Sequence, residues 1–182
     1  MARNKGHSLY FVCILPEDST GMKITALKQE IAANYGSNYA LRLPPHITLI
    51  PPFEFPDSEI QSVTQTQDEA LWGLNSFNLT LNNFGHFGNR VIYIDVERNP
   101  LLDAVYWQLV KAYKNIGKNI DASRPFNPHA TIANRDLTTS RFERAWPAFE
   151  KCSFQAKFRV DAVHLLKHID GRWQLFHQSP LP

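Results

Sequence analysis

Two stretches decide how this 182-residue chain is read: Leu-Pro-Pro-His-Ile-Thr-Leu-Ile-Pro-Pro-Phe at 43–53 and Arg-Pro-Phe-Asn-Pro-His-Ala-Thr-Ile-Ala-Asn-Arg at 124–135. Each holds Pro-His-x-Thr, as Pro45-His46-Ile47-Thr48 and Pro128-His129-Ala130-Thr131, with the histidines 83 positions apart. With 7 His, 9 Thr and 12 Pro in the chain, shuffling yields about 0.02 such matches, so chance does not explain two. Prolines fence each run and hold the residue before them extended, which predicts short strands. Side chains alternate along a strand, so His46 and Thr48 share one face, as do His129 and Thr131. Ile47, Leu49, Ala130 and Ile132 occupy the other.

Working outward, Leu9 to Leu15 is a continuous apolar run that suits a strand covered on both faces. Ile24, Leu27, Ile31 and Tyr35 recur at helical spacing, with Asp18, Ser19 and Thr20 as candidate N-caps and Gly36 as a C-terminal stop. Ile60, Val63, Gln67 and Leu71 mark a second helix. Phe77, Leu79 and Leu81 then alternate as a strand, Asn83 to Asn89 reads as a loop, and Arg90 to Glu97 as a partner strand. Asn99 and Pro100 open a third helix that Gly117 ends. After the second His strand come a helix from about Ser140 to Glu150, in which Pro147 should kink or end it, and a strand over Phe154 to Leu166. The turn Asp170-Gly171 joins that strand to Arg172 to His177. The order helix, His strand, helix, strand, strand occurs twice. It predicts a bilobal α+β domain of two pseudo-two-fold-related α-β-α-β-β halves, roughly 17–98 and 99–182, with antiparallel sheets around a central cleft.

Nineteen Lys and Arg against 17 Asp and Glu give +2, without the basic stripe that long double-stranded nucleic acid demands. A small phosphate ligand fits this balance better. Cys13 and Cys152 sit in apolar stretches without metal-ligand spacing, and His164, His168 and His177 match no ligand pattern. No apolar run reaches the roughly 20 residues of a membrane span. A cytoplasmic monomer with no metal, cofactor or membrane partner is expected.

Two imidazoles and two hydroxyls presented to one ligand suit displacement at phosphorus. With an unperturbed pKa near 6.5, one imidazole of a pair can accept a proton while the other donates one. Threonine hydroxyls can hydrogen-bond the non-bridging oxygens as charge develops. Which histidine is base and which is acid stays open at this point. Phe87 and Phe126 flank the expected cleft in sequence and are candidates for stacking on a base.

At these residues the chain resembles the 2H phosphoesterase superfamily, whose mark is a pair of His-x-Thr/Ser-hydrophobic motifs. HITL at 46–49 and HATI at 129–132 both match, and LYFVCILP and FGHFGNRVIYIDV resemble the family's first strand and mid-chain hairpin. The resemblance spans nearly the whole chain. It implies catalysis by His46, Thr48, His129 and Thr131, and hydrolysis of 2′,3′-cyclic phosphates on a nucleotide or RNA terminus. It also implies reversible 2′-5′ RNA ligation as an alternative; binding of a nucleotide or RNA end without turnover is another. Some members carry a basic residue in an HxTLxR arrangement. Here Arg135 falls one position later, after Asn134, which on a continuing strand would turn it to the opposite face. With Arg42 and Arg124 it could form a basic patch for RNA.

Overall fold

The computed structural model describes residues 6–118 and 125–182; Arg124 lies outside them. The elements run β1 (His7–Ile14), α1 (Asp18–Tyr35), a short 3-10 helix (Tyr39–Arg42), β2 (Ile47–Pro56), α2 (Ile60–Leu71), β3 (Phe77–Phe87) and β4 (Val91–Val96). There follow α3 (Pro100–Asn115), β5 (His129–Ala133), α4 (Thr139–Phe149), β6 (Gln155–Val160), β7 (Ala162–Ile169) and β8 (Arg172–Pro180). The fold is α+β, as expected, with antiparallel pairing throughout the described strands. The strands form one continuous eight-stranded sheet, β6-β3-β4-β5-β2-β1-β7-β8, curled into a half barrel, instead of separate sheets.

The middle of that order is the seam. There the two His strands meet through the pairing of Ile47 with Ala130. On one side lies the lobe β5-β4-β3-β6, on the other β2-β1-β7-β8, so each lobe takes two strands from each half of the chain instead of being built from one half. Helices α1 and α4 back the first lobe, with α1 against β5 and β6. Helices α2 and α3 back the second, against β8 and β2 respectively. Tyr10, Val12 and Ile14 on β1 join the main core under the helices, whereas Phe11 and Cys13 face the other way with Leu166 and Trp173. Burial on both faces is what the unbroken apolar run of β1 requires.

Several local expectations change. The stretch Phe154 to Leu166 is two strands, β6 and β7, which end on opposite sides of the sheet. They part at Asp161, whose carbonyl accepts from the Leu181 amide at 2.7 Å. Asn83 to Phe87 continues β3 past a register shift, with Asn83 in the left-handed region at φ 60°. That extra residue re-aims the strand as a bulge does. Pro51 to Pro56 likewise continues β2. Pro147 lies inside α4 without ending it; at the third position from the C-terminus its ring still costs a bond, but the packing of Phe142, Ala145 and Phe149 holds the turn. At the start of α1 the N-cap is Glu17, which makes no capping side-chain bond.

Candidate active site

The register at the seam places the paired motifs. Partner numbers in an antiparallel ladder have a constant sum. With Ile47 opposite Ala130, His46 therefore stands opposite Thr131 and Thr48 opposite His129. All four share the face opposite to Ile47 and Ala130, which are fully buried on the core side. Opposed Cβ atoms lie about 4.5–5.5 Å apart and the diagonal His46–His129 pair about 7–8 Å, a gap that one tetrahedral group can bridge.

The two imidazoles are held in the same way. His46 Nδ1 lies 2.8 Å from the Pro44 carbonyl, and His129 Nδ1 lies 2.8 Å from the Asn127 carbonyl. A carbonyl can only accept, so each Nδ1 carries the hydrogen and donates, and each neutral ring keeps its lone pair on Nε2. The proline before each histidine holds the chain extended, which brings the carbonyl two residues back under the ring.

The surroundings of the two rings differ. Burial pushes the His46 pKa down to about 4; the bond to Pro44 opposes this, while the charges of Lys28 and His129 add to it. His129 is also lowered by burial, but the Asn127 carbonyl and the carboxylate of Asp95, its partner on β4, pull the other way. Phe11 contacts the His46 ring edge-on at 5.2 Å between centroids. His129 is flanked by Phe87 at 4.9 Å and Tyr93 at 5.0 Å.

Beside the motifs lies a cleft of about 190 Å³ lined by His46, Thr48 and Thr131, together with Lys28, Tyr39, Asn134, Arg135 and Trp173. Arg135 reaches it because β5 has ended at Ala133 and Arg135 adopts φ 57°, so strand parity no longer governs its direction. Its guanidinium lies 4.8 Å from the centre of the Tyr39 ring, and that of Arg42 5.3 Å from the same ring. Asp136 fixes this wall: its carboxylate accepts from Ser37 Oγ at 2.7 Å and from the amides of Asn38 and Tyr39 at 2.7 and 3.0 Å. Phe87 stands against His129, at the far end of the motif row. Phe126 is not at the cleft: it stacks on Tyr106 of α3 at 3.9 Å and packs on the core. Its nearness to His129 in sequence is spent in a loop that turns it to the helix layer.

Lys28, Tyr39 and Trp173 were not legible as site residues. The signal for Lys28 was present: it falls among Ile24, Leu27 and Ile31 on the apolar stripe of α1, where a charged residue is out of place. Tyr39 and Trp173 left no comparable mark.

Glycine is required at position 85. A Cβ there would lie 2.5 Å from Cζ of Tyr93, the ring that walls His129. Gly85→Ala should therefore displace Tyr93 and cost about 1–3 kcal/mol through overpacking. The check is a lowered Tm together with shifted His129 imidazole resonances by NMR. Unchanged resonances would remove Tyr93 as the support of that ring.

One curled antiparallel sheet with a His-x-Thr strand from each lobe at its seam is the architecture expected of a 2H phosphoesterase. The model of the 2′-5′ RNA ligase superfamily matches residues 16–172, and the chain belongs to that family. Similar sequences include a provisionally named phosphoesterase of Geobacillus sp. (strain WCH70), 30% identical over 146 residues that cover 78% of this chain and 80% of the relative. Another, from Bacillus cytotoxicus, is 26% identical over 170 residues, covering 92% and 93%. Among solved structures, the TT0787 protein of Thermus thermophilus superposes with a TM-score of 0.75 at 18% identity over 95% of this chain and 97% of that one. E. coli LigT in complex with 3′-AMP superposes with a TM-score of 0.67 at 19% identity, covering 96% and 98%.

Proposed function

We propose that the chain is a metal-independent phosphoesterase that opens 2′,3′-cyclic phosphates of nucleotides or RNA ends, with His46 as general base and His129 as general acid. The observation that carries this reading is the reciprocal pairing at the seam, His46 opposite Thr131 and Thr48 opposite His129, with each Nδ1 engaged by a backbone carbonyl and neither Nε2 hydrogen-bonded among the described residues. In the reaction, His46 Nε2 takes a proton from water as the water oxygen attacks phosphorus. The P–O3′ bond breaks on the opposite side, and the protonated Nε2 of His129 gives its proton to the departing oxygen, leaving a 2′-phosphomonoester. Thr48 and Thr131 hydroxyls donate to the non-bridging oxygens as negative charge builds on them. Protons then return from His46 to His129 through solvent.

The electrostatics around the two rings support this assignment of roles. Lys28 disfavours a proton on His46, whereas Asp95 favours one on His129. The scheme draws on no metal. The nucleotide in the related LigT structure, 3′-AMP, supports a ligand of this class, as does the phosphoesterase name of the sequence relatives.

The test is a panel of 2′,3′-cyclic nucleotides, ADP-ribose cyclic phosphate and RNA carrying a 2′,3′-cyclic or 2′-5′ end, with products identified by phosphorus NMR. The expected result is a 2′-monoester, formed at the same rate in EDTA. Loss in chelator restored by a divalent ion would overturn metal independence. Joined RNA without hydrolysis would select the ligase, and ligand binding with no product the non-catalytic module.

A further inference from the structure

Lys28 is the most buried charged side chain described in the molecule, 2% exposed, and it sits in the middle of α1 among Ile24, Leu27 and Ile31. Its ammonium donates to the Leu43 carbonyl at 3.0 Å. Among the described residues no carboxylate lies within ion-pair distance of it. Removing an ammonium from water is unfavourable unless an opposite charge compensates it. A core helix position could carry leucine or methionine at no such cost. The nitrogen has three donors, of which the Leu43 bond uses one. The side chain lines the same cleft as His46, Thr48 and Thr131.

We propose that Lys28 is the fixed cation of this cleft, whose ammonium binds a non-bridging oxygen of the phosphate group that the two histidines flank. The proposal deepens the function argued above and rests on its assignment of a phosphate ligand. The ligand supplies the missing counter-charge. A cyclic phosphodiester carries one negative charge and the pentacoordinate state formed by water attack carries two, so a buried cation contributes more in the transition state than in the ground state. Burial lowers the Lys28 pKa to about 8, which leaves the group mostly charged at pH 7. Arg135, the other cation lining the cleft, is exposed and lies over Tyr39, at the mouth.

The experiment compares wild type with Lys28→Gln and Lys28→Met. Glutamine keeps a donor for the Leu43 carbonyl without the charge; methionine keeps only the length. Circular dichroism establishes folding, calorimetry at pH 7 measures the affinity for inorganic phosphate, and kcat/KM is measured on 2′,3′-cyclic AMP. Both variants are expected to bind phosphate at least tenfold more weakly, and kcat/KM to fall by about 10- to 1,000-fold, mostly in kcat. Wild-type phosphate affinity in folded Lys28→Gln overturns the proposal, and so does a wild type that binds no phosphate. If only Lys28→Met is impaired, the bond to Leu43 and not the charge is what matters, which also overturns it. Charge-dependent phosphate binding without hydrolysis by wild type would instead defeat the enzymatic reading and leave the anion site standing.

Discussion

His46→Ala and His129→Ala are each expected to lower kcat/KM on a 2′,3′-cyclic nucleotide by about two to four orders of magnitude, with the fold retained. Both rings are half-buried on the wet face of the seam, and neither belongs to the hydrophobic core, so the loss should be chemical. Since base and acid act in one step, the double variant should cost little more than the worse single one. Either single variant with wild-type activity would remove the mechanism.

The pH profile follows from the same two groups. In the free enzyme the base must be neutral and the acid charged. Activity therefore rises with pH as His46 loses its proton near 4, and falls as His129 loses its own below the ordinary imidazole value. The maximum of kcat/KM should lie on the acid side of pH 6.5. Asp95→Asn removes the carboxylate that favours a proton on His129 and should draw the falling limb to still lower pH. Unchanged limbs would remove Asp95 from the assignment of roles.

Thr48→Val and Thr131→Val form the second large prediction. Valine preserves the β-branched shape that the strand packs, and deletes only the hydroxyl. Removing a donor aimed at developing oxyanion charge costs about 10²- to 10³-fold in kcat, with KM little changed. Because Thr131 stands opposite His46 and Thr48 opposite His129, the two variants should be similarly impaired. Activity within about threefold of wild type in both would reduce the threonines to strand formers.

Much of this site is legible in the sequence. Strand parity put His and Thr on one face, prolines marked where each strand begins, and repetition of the motif named the four residues that the seam brings together. Where the reading failed, the cause was non-local. Phe154 to Leu166 holds neither glycine nor proline, so no chain-breaking residue marks the break at Asp161; the break exists because β6 pairs with β3 and β7 with β1, at distant places in the sheet. Asn83 to Asn89 reads as a loop for its glycines and asparagines, yet Gly85 is there to admit Tyr93. Parity misdirected Arg135, since a single left-handed residue after the strand resets the direction of its side chain.

The chain alone thus determined the class of fold, the recurrence of Pro-His-x-Thr and the face each member takes, because these depend on periodicity within a few residues. Only the tertiary structure decided that β2 lies against β5, that the lobes exchange strands, and that Lys28 from a helix reaches the cleft while Phe126 does not. Those outcomes are set by pairing and burial between segments far apart along the backbone, and the energy of such contacts belongs to no single stretch of sequence.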